Sequence, residues 1–145
     1  MFREEENRTP EEFNKSMVRR IWEEAWQKGN LATIDELVAT THVLHAYPED
    51  LAYGSGAEGL KRLIAVNRKN LPGADLTIED LIAEGDKVVT RYTVRMPPSA
   101  VTTGIWIDRI QGNQVVESWV DWDRLGFFRQ LGLIPSPDQA DNEGN

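Results

Sequence analysis

The sequence predicts an α+β domain in which helices cover one face of a curved antiparallel β-sheet. Three observations carry this. Apolar residues recur at helical spacing through the first half of the chain. After Gly73 the spacing changes to the alternation of strands and keeps it through four segments. The links between those segments are short enough for hairpins. Helices first and strands second is the order of segregated α+β folds, and a curved sheet roofed by helices encloses a pocket.

The elements follow in order. Thr9, Pro10 and Glu12 form a capping box with a proline at the first helical position. The helix they open runs to about Lys28, with Phe13, Met17, Ile21 and Ala25 as an apolar stripe widened by Val18, Trp22 and Trp26. "LATIDELV" is a second, shorter helix and "THVLHAYP" a short strand. "GAEGLKRLIAVNRKNLPG" is the third helix, with Leu60, Leu63, Ile64 and Leu71 facing inward. Four strands follow, "LTIEDLIAE", "KVVTRYTVR", "TTGIWIDRI" and "QVVESWVDW", joined at Gly85-Asp86, at Pro97-Pro98 and at "QGN". "RLGFFRQLG" is a closing helix.

The length of 145 residues suits one domain with a single core, over 9–135; 1–8 and 136–145 are polar and read as an unstructured N-terminus and a flexible tail. The net charge of −8 argues against nucleic acid and anionic membrane as partners. With no cysteine there is neither a disulfide framework nor a thiolate metal site, and His42 and His45, three apart on a strand, do not converge on one ion. No metal and no cofactor is expected. The polar, acidic start is unlike a signal peptide, and no apolar run is long enough to span a bilayer, so the expected location is cytoplasmic.

The stretch "VESWVDWDRLGFFRQLG" points to a site. Strand alternation puts Glu117, Trp119, Asp121 and Asp123 on one face, and Val116, Ser118, Val120 and Trp122 on the other. Carboxylates interleaved with an indole suggest a pocket wall. The even face is then the outer face, and its apolar side chains predict a homodimer through the outer side of the sheet.

Together "IWEEAWQKGNLATIDELVA", "GAEGLKRLI", "IEDLIAEGDKVVTRYTVR", "GIWIDRIQGNQVVESWVDWD" and "LGFFRQLGLIP" resemble the SnoaL-like polyketide cyclases of the nuclear-transport-factor-2-like (NTF2-like) superfamily, over about 13–135. The resemblance implies a cone of sheet and three helices, and a cofactor-independent acid/base enzyme acting on a small hydrophobic carbonyl compound. The superfamily also contains limonene epoxide hydrolases, ketosteroid isomerases and non-catalytic binders, which leaves epoxide opening and simple binding of an apolar molecule as alternatives. Trp119 and Asp121 resemble the pocket edge of the hydrolases, where that aspartate positions water; the cyclases use an aspartate of this strand as acid/base. Two departures stand out. The hydrolases' second aspartate, two after the arginine on the neighbouring strand, is Thr93 here, which removes their Asp-Arg-Asp relay. The hairpin at "MPPSAVTT" is shorter than in many relatives.

Asp121 is accordingly the expected base, desolvated between Trp119 and Trp122; the competing reading is an ion pair with Arg91 or Arg124. Arg91 and His45 are expected to polarise or position oxygens. Trp119, Tyr47, Thr93, Trp26 and Asp123 are the expected substrate contacts, with a helix cap as the competing role for Asp123. His42 faces away by parity and is expected to be exposed.

Overall fold

The structure is a computed structural model and describes residues 7–135; of the terminal segments expected to be unstructured, only residues 7 and 8 lie within that range. The capping box forms: Thr9 Oγ1 accepts from the Glu12 N–H at 3.2 Å, and Glu12 Oε2 accepts from the Thr9 N–H at 3.3 Å. Helix α1 (Pro10–Arg20) continues without a break into a π-helical stretch, Ile21–Gln27. Then come α2 (Ala32–Leu37), β1 (Val38–His45), α3 (Gly56–Asn70), β2 (Asp75–Glu84), β3 (Lys87–Met96), β4 (Ala100–Gln111), β5 (Gln114–Trp122) and α4 (Arg124–Gln130). At the β4–β5 turn both Gly112 and Asn113 have φ near +60°, the backbone that matches a two-residue turn to the twist of a hairpin.

The five strands lie in the order β1-β5-β4-β3-β2. The α+β architecture with a curved sheet is as expected. One pairing departs from it: β1 runs parallel to β5, with Leu44 opposite Ser118. β1 enters from the helical half and leaves through α3, and a long crossover permits the parallel direction that a hairpin forbids.

The helices supply Met17, Val18, Trp22, Leu60, Leu63 and Ile64 to one core with Val88, Tyr92, Trp106, Val115 and Val120 of the sheet. Phe13, expected in the inward stripe, is instead 42% exposed, and Asn14, Met17 and Val18 are the buried residues of α1.

The sheet faces are the main correction. On β5 the interior residues are Val115, then Ser118, Val120 and Trp122; the odd residues Glu117, Trp119 and Asp121 face outward. The cause is a break in register between Arg109 and Ile110 of β4: Val115 pairs with Ile110 but Glu117 pairs with Arg109, so Val116 is an extra residue. A bulge of this kind shifts the alternation by one, and the inward parity passes from odd to even at Val116. β2 does the same at Glu79, where the inward set passes from Leu76 and Ile78 to Leu81 and Ala83.

Candidate functional site

Between the sheet and the helices lies a cavity of about 520 Å³. Its deep wall is aromatic: Trp22, Trp26, Tyr92 and Trp106 line it, and their rings pack on one another. The π-helical stretch makes that wall. It carries both Trp22 and Trp26 toward the sheet with ring centroids 5.6 Å apart. Trp22 Nε1 is satisfied by Thr90 Oγ1 at 3.2 Å, so this buried indole leaves no polar atom unpaired. Trp122 and Phe127 line the wall near α4, and Asn67, Arg68 and Asp75 the side beside the end of α3.

A cross-strand row sets the polar centre. Tyr92 of β3, Gly104 of β4 and Trp122 of β5 stand side by side in register. The Tyr92 hydroxyl lies directly over the Gly104 Cα, in space that any Cβ would fill. It is accessible from the cavity and makes no hydrogen bond among the described residues. Burial, with the Asp50 charge second, pushes the phenol's pKa well above its ordinary value, so it stays a donor. At the other end of the row Trp122 Nε1 donates to Asp50 Oδ2 at 3.3 Å, while Asp50 Oδ1 has no partner among the described residues. Asp50 sits in the loop between β1 and α3 and also lines the cavity. A neutral donor and a carboxylate thus meet one aromatic cavity.

Four strand positions further along runs a buried polar chain. Asp108 Oδ1 accepts from Trp106 Nε1 at 2.8 Å and from Ser118 Oγ at 2.6 Å, and Ser118 Oγ lies 2.8 Å from His42 Nε2. Since the serine proton goes to Asp108, the His42 N–H must point at Ser118. Burial pushes Asp108 up to about 6 and His42 down to about 4. His42 was expected at the surface and is 2% exposed. His42 and His45 do lie on opposite sides of β1, as their spacing predicts; what differs is which side is inward.

The expected site residues fall elsewhere, with one exception. Trp26 lines the cavity. Asp121, Arg91 and His45 are on the outer face and exposed. Arg91 pairs with Asp80 at 2.6 Å, and Asp121 has no salt bridge among the described residues, so neither expected Asp121 ion pair forms. His45 stacks on Trp119, centroids 5.2 Å apart, and its Nε2 lies 2.8 Å from Glu117, which Arg109 also holds. Those two bonds keep the Glu117 carboxyl below its usual range. His45, Glu117 and Trp119 thus meet one another on the outer face, away from the cavity. Tyr47, 40% exposed, lies under the Arg124 guanidinium, and Thr93 is buried but does not line the cavity. Asp123 caps α4, accepting from the Gly126 N–H at 2.9 Å. Among the described residues no group of three His, Asp or Glu side chains is placed to hold a metal, and no helix is long and apolar enough to cross a membrane.

The residues missed are Asp50, Tyr92, Trp106 and Trp122. For three of them a signal existed. On β3 the charges Lys87, Arg91 and Arg95 share one parity, and Val88, Thr90, Tyr92, Val94 and Met96 the other, which marks Tyr92 as inward. Trp106 and Trp122 follow once β4 and β5 are registered on β3. Asp50 had none: a carboxylate in an acidic loop has no period.

Comparison with known proteins follows the same lines. The family model for SnoaL-like polyketide cyclases matches residues 16–131. A candidate polyketide cyclase from Bacillus cereus ATCC 10987 is 28% identical, with a TM-score of 0.76, over 85% of this chain and 83% of its own. IdmH, a candidate polyketide cyclase from Streptomyces antibioticus, is 24% identical over 82% and 98%, with a TM-score of 0.72. AclR, a candidate hydroxylase from Streptomyces galilaeus, is 21% identical over 90% and 88%, with a TM-score of 0.70. The last two share the fold. No curated protein is similar enough to the chain to count as a match.

Proposed function

The chain belongs to the SnoaL-like polyketide cyclase family, and from that premise we propose that it is a cofactor-independent acid/base enzyme closing a ring in a small hydrophobic carbonyl compound by intramolecular aldol chemistry. One observation carries the reading: Tyr92 and Asp50 present an unpartnered hydroxyl and a free carboxylate oxygen to the same aromatic cavity. In the reaction Asp50 Oδ1 takes the proton from the carbon between two carbonyls. The electron pair moves onto the carbonyl oxygen, where the Tyr92 O–H donates to the developing enolate. The carbanion attacks a second carbonyl of the same molecule, forming the carbon–carbon bond. The new alkoxide then recovers the proton from Asp50. The indoles hold the chain folded, which converts the entropy of ring closure into binding. Asp50 takes the role that the sequence alone assigned to Asp121.

The test needs no knowledge of the natural substrate. A panel of aromatic β-keto esters is incubated with the protein in D₂O and followed by NMR. Exchange of the α-proton, with cyclised product where a second carbonyl is in reach, is the expected result. Binding of the esters with neither exchange nor product would leave the cavity as a binding site for apolar molecules.

The homodimer expectation passes to other residues. Val120 and Trp122 serve the cavity, and the outer face exposes Val43 and Ile105 near Trp119, with Ile82 further across the sheet on β2. We propose that this face pairs two copies. Light scattering at micromolar concentration is expected to give twice the chain mass, and Ile105→Glu is expected to give the chain mass; a monomeric wild type overturns the proposal.

A further inference from the structure

The charges and rings of the cavity bear on which ligand it accepts. Two of its indoles are bound at N–H by carboxylates, Trp106 by Asp108 and Trp122 by Asp50. A negative acceptor on the indole N–H pushes electron density into the ring and strengthens the attraction of its face for a cation. Trp122 shows the result within the chain: the Arg124 guanidinium lies over its ring at 5.2 Å, with the rings of Tyr47 at 4.4 Å and Phe128 at 5.2 Å.

The formal charges point the same way. Asp50 and Asp75 line the cavity, and Asp108 lies behind its floor. Against them stand Arg68, whose Nη1 is occupied by the carbonyl oxygens of Trp26 at 2.8 Å and Gln27 at 2.6 Å, and Arg124, which faces Glu49 at 3.6 Å. Two lining carboxylates, with Asp108 behind them, thus face one lining guanidinium, whose Nη1 is held by backbone carbonyls. The Tyr92 hydroxyl, which makes no hydrogen bond among the described residues, opens into the same space.

We propose that the cavity selects aromatic molecules bearing a positively charged nitrogen, seated between the Asp50 carboxylate and the indole faces, and disfavours molecules bearing a free carboxylate. The inference rests on the cavity being the ligand site, and it names the class of molecule the acid/base reaction would take: an amine-bearing, or at least uncharged and esterified, carbonyl compound. An uncharged ester leaves the site's charge unchanged, since the proton moving to Asp50 shifts one negative charge onto the enolate. A free acid adds another.

Isothermal titration with three probes of one size decides it: 2-naphthylmethyl-trimethylammonium, 2-naphthalenemethanol and 2-naphthoate, at low ionic strength. The expected result is that the ammonium binds at least about tenfold tighter than the alcohol, and the naphthoate weaker than both. In Asp50→Asn the ammonium is expected to fall to within about threefold of the alcohol, while the alcohol itself is little changed. Equal binding of ammonium and alcohol, or tighter binding of naphthoate, overturns the inference and leaves the cavity as the site. Failure of all three probes to bind overturns both. The wild-type ranking stands on its own should Asp50→Asn not fold.

Discussion

Asp50→Asn is expected to abolish turnover while leaving the fold intact. Asparagine keeps the oxygen that Trp122 Nε1 uses and loses the proton acceptor. A positioned base contributes about 10²–10⁴-fold, so kcat on the best ester of the panel should fall by that factor. Asp50 lies in a loop and its one side-chain bond survives, so the melting temperature should move by no more than roughly 2 °C. Asp121→Asn is the internal control. That carboxylate is exposed on the outer face, outside the cavity, and its loss should leave kcat within about twofold. The reverse pattern, with Asp121 essential and Asp50 dispensable, would return the chemistry to the outer face and reject the cavity mechanism.

The second large effect belongs to the buried chain and has a definite sign. Asp108 titrates near 6 in the fold, raised from 3.8, because burial penalises its charge. The native state therefore holds that proton more tightly than the unfolded chain. Stability from this group is greatest in acid, declines as pH rises through the window from about 4 to 6, and by neutral pH is lower by about 3 kcal/mol. His42 works in the opposite direction. Its pKa falls from 6.5 to about 4, so the unfolded chain takes the proton first, and stability declines by a similar amount as pH falls from 6.5 to 4. Joined through Ser118, the two nearly cancel between pH 4 and 6. Asp108→Asn keeps an acceptor for Trp106 and Ser118 and removes the charge. It should be more stable than the wild type at pH 7 by up to about 3 kcal/mol, with the gain vanishing toward pH 4. His42→Gln should tilt the profile the other way, with its gain appearing only in acid. Urea unfolding at a series of pH values measures both. An Asp108→Asn protein less stable than the wild type at pH 7 would mean that the ionised carboxylate itself holds Trp106 in place.

How much of this was legible in the sequence follows from where the physics is local. The capping box, the hairpin turns, the helix-to-strand change of period and the cap at Asp123 all depend on residues within four of one another, and all are present. Trp22 and Trp26 could be placed inward because two indoles one turn apart on a helix have nowhere else to go. The sheet faces could not be fixed the same way. Val116 and Glu79 are extra residues only relative to the strands they pair with, and no single strand records its partner's length. Once the faces exchange, the acids between tryptophans become a solvated outer surface, and the apolar set chosen for a dimer becomes the cavity wall. Asp50 was illegible for another reason: its meaning arises from Trp122, 72 residues away, across a loop with no periodicity.

The π-helical stretch Ile21–Gln27 has one more consequence. A π-turn is an α-helix holding one residue too many, so the aromatic wall depends on a surplus in chain length as much as on the choice of tryptophan. Removing one residue between Trp22 and Trp26 would let the helix rewind to its ordinary pitch and set the two indoles three residues apart instead of four. The rings would then stack differently over the cavity, with the composition of its lining unaltered. The shape of this site is thus under the control of insertions and deletions, a class of genetic change that surface loops absorb and secondary structure usually rejects.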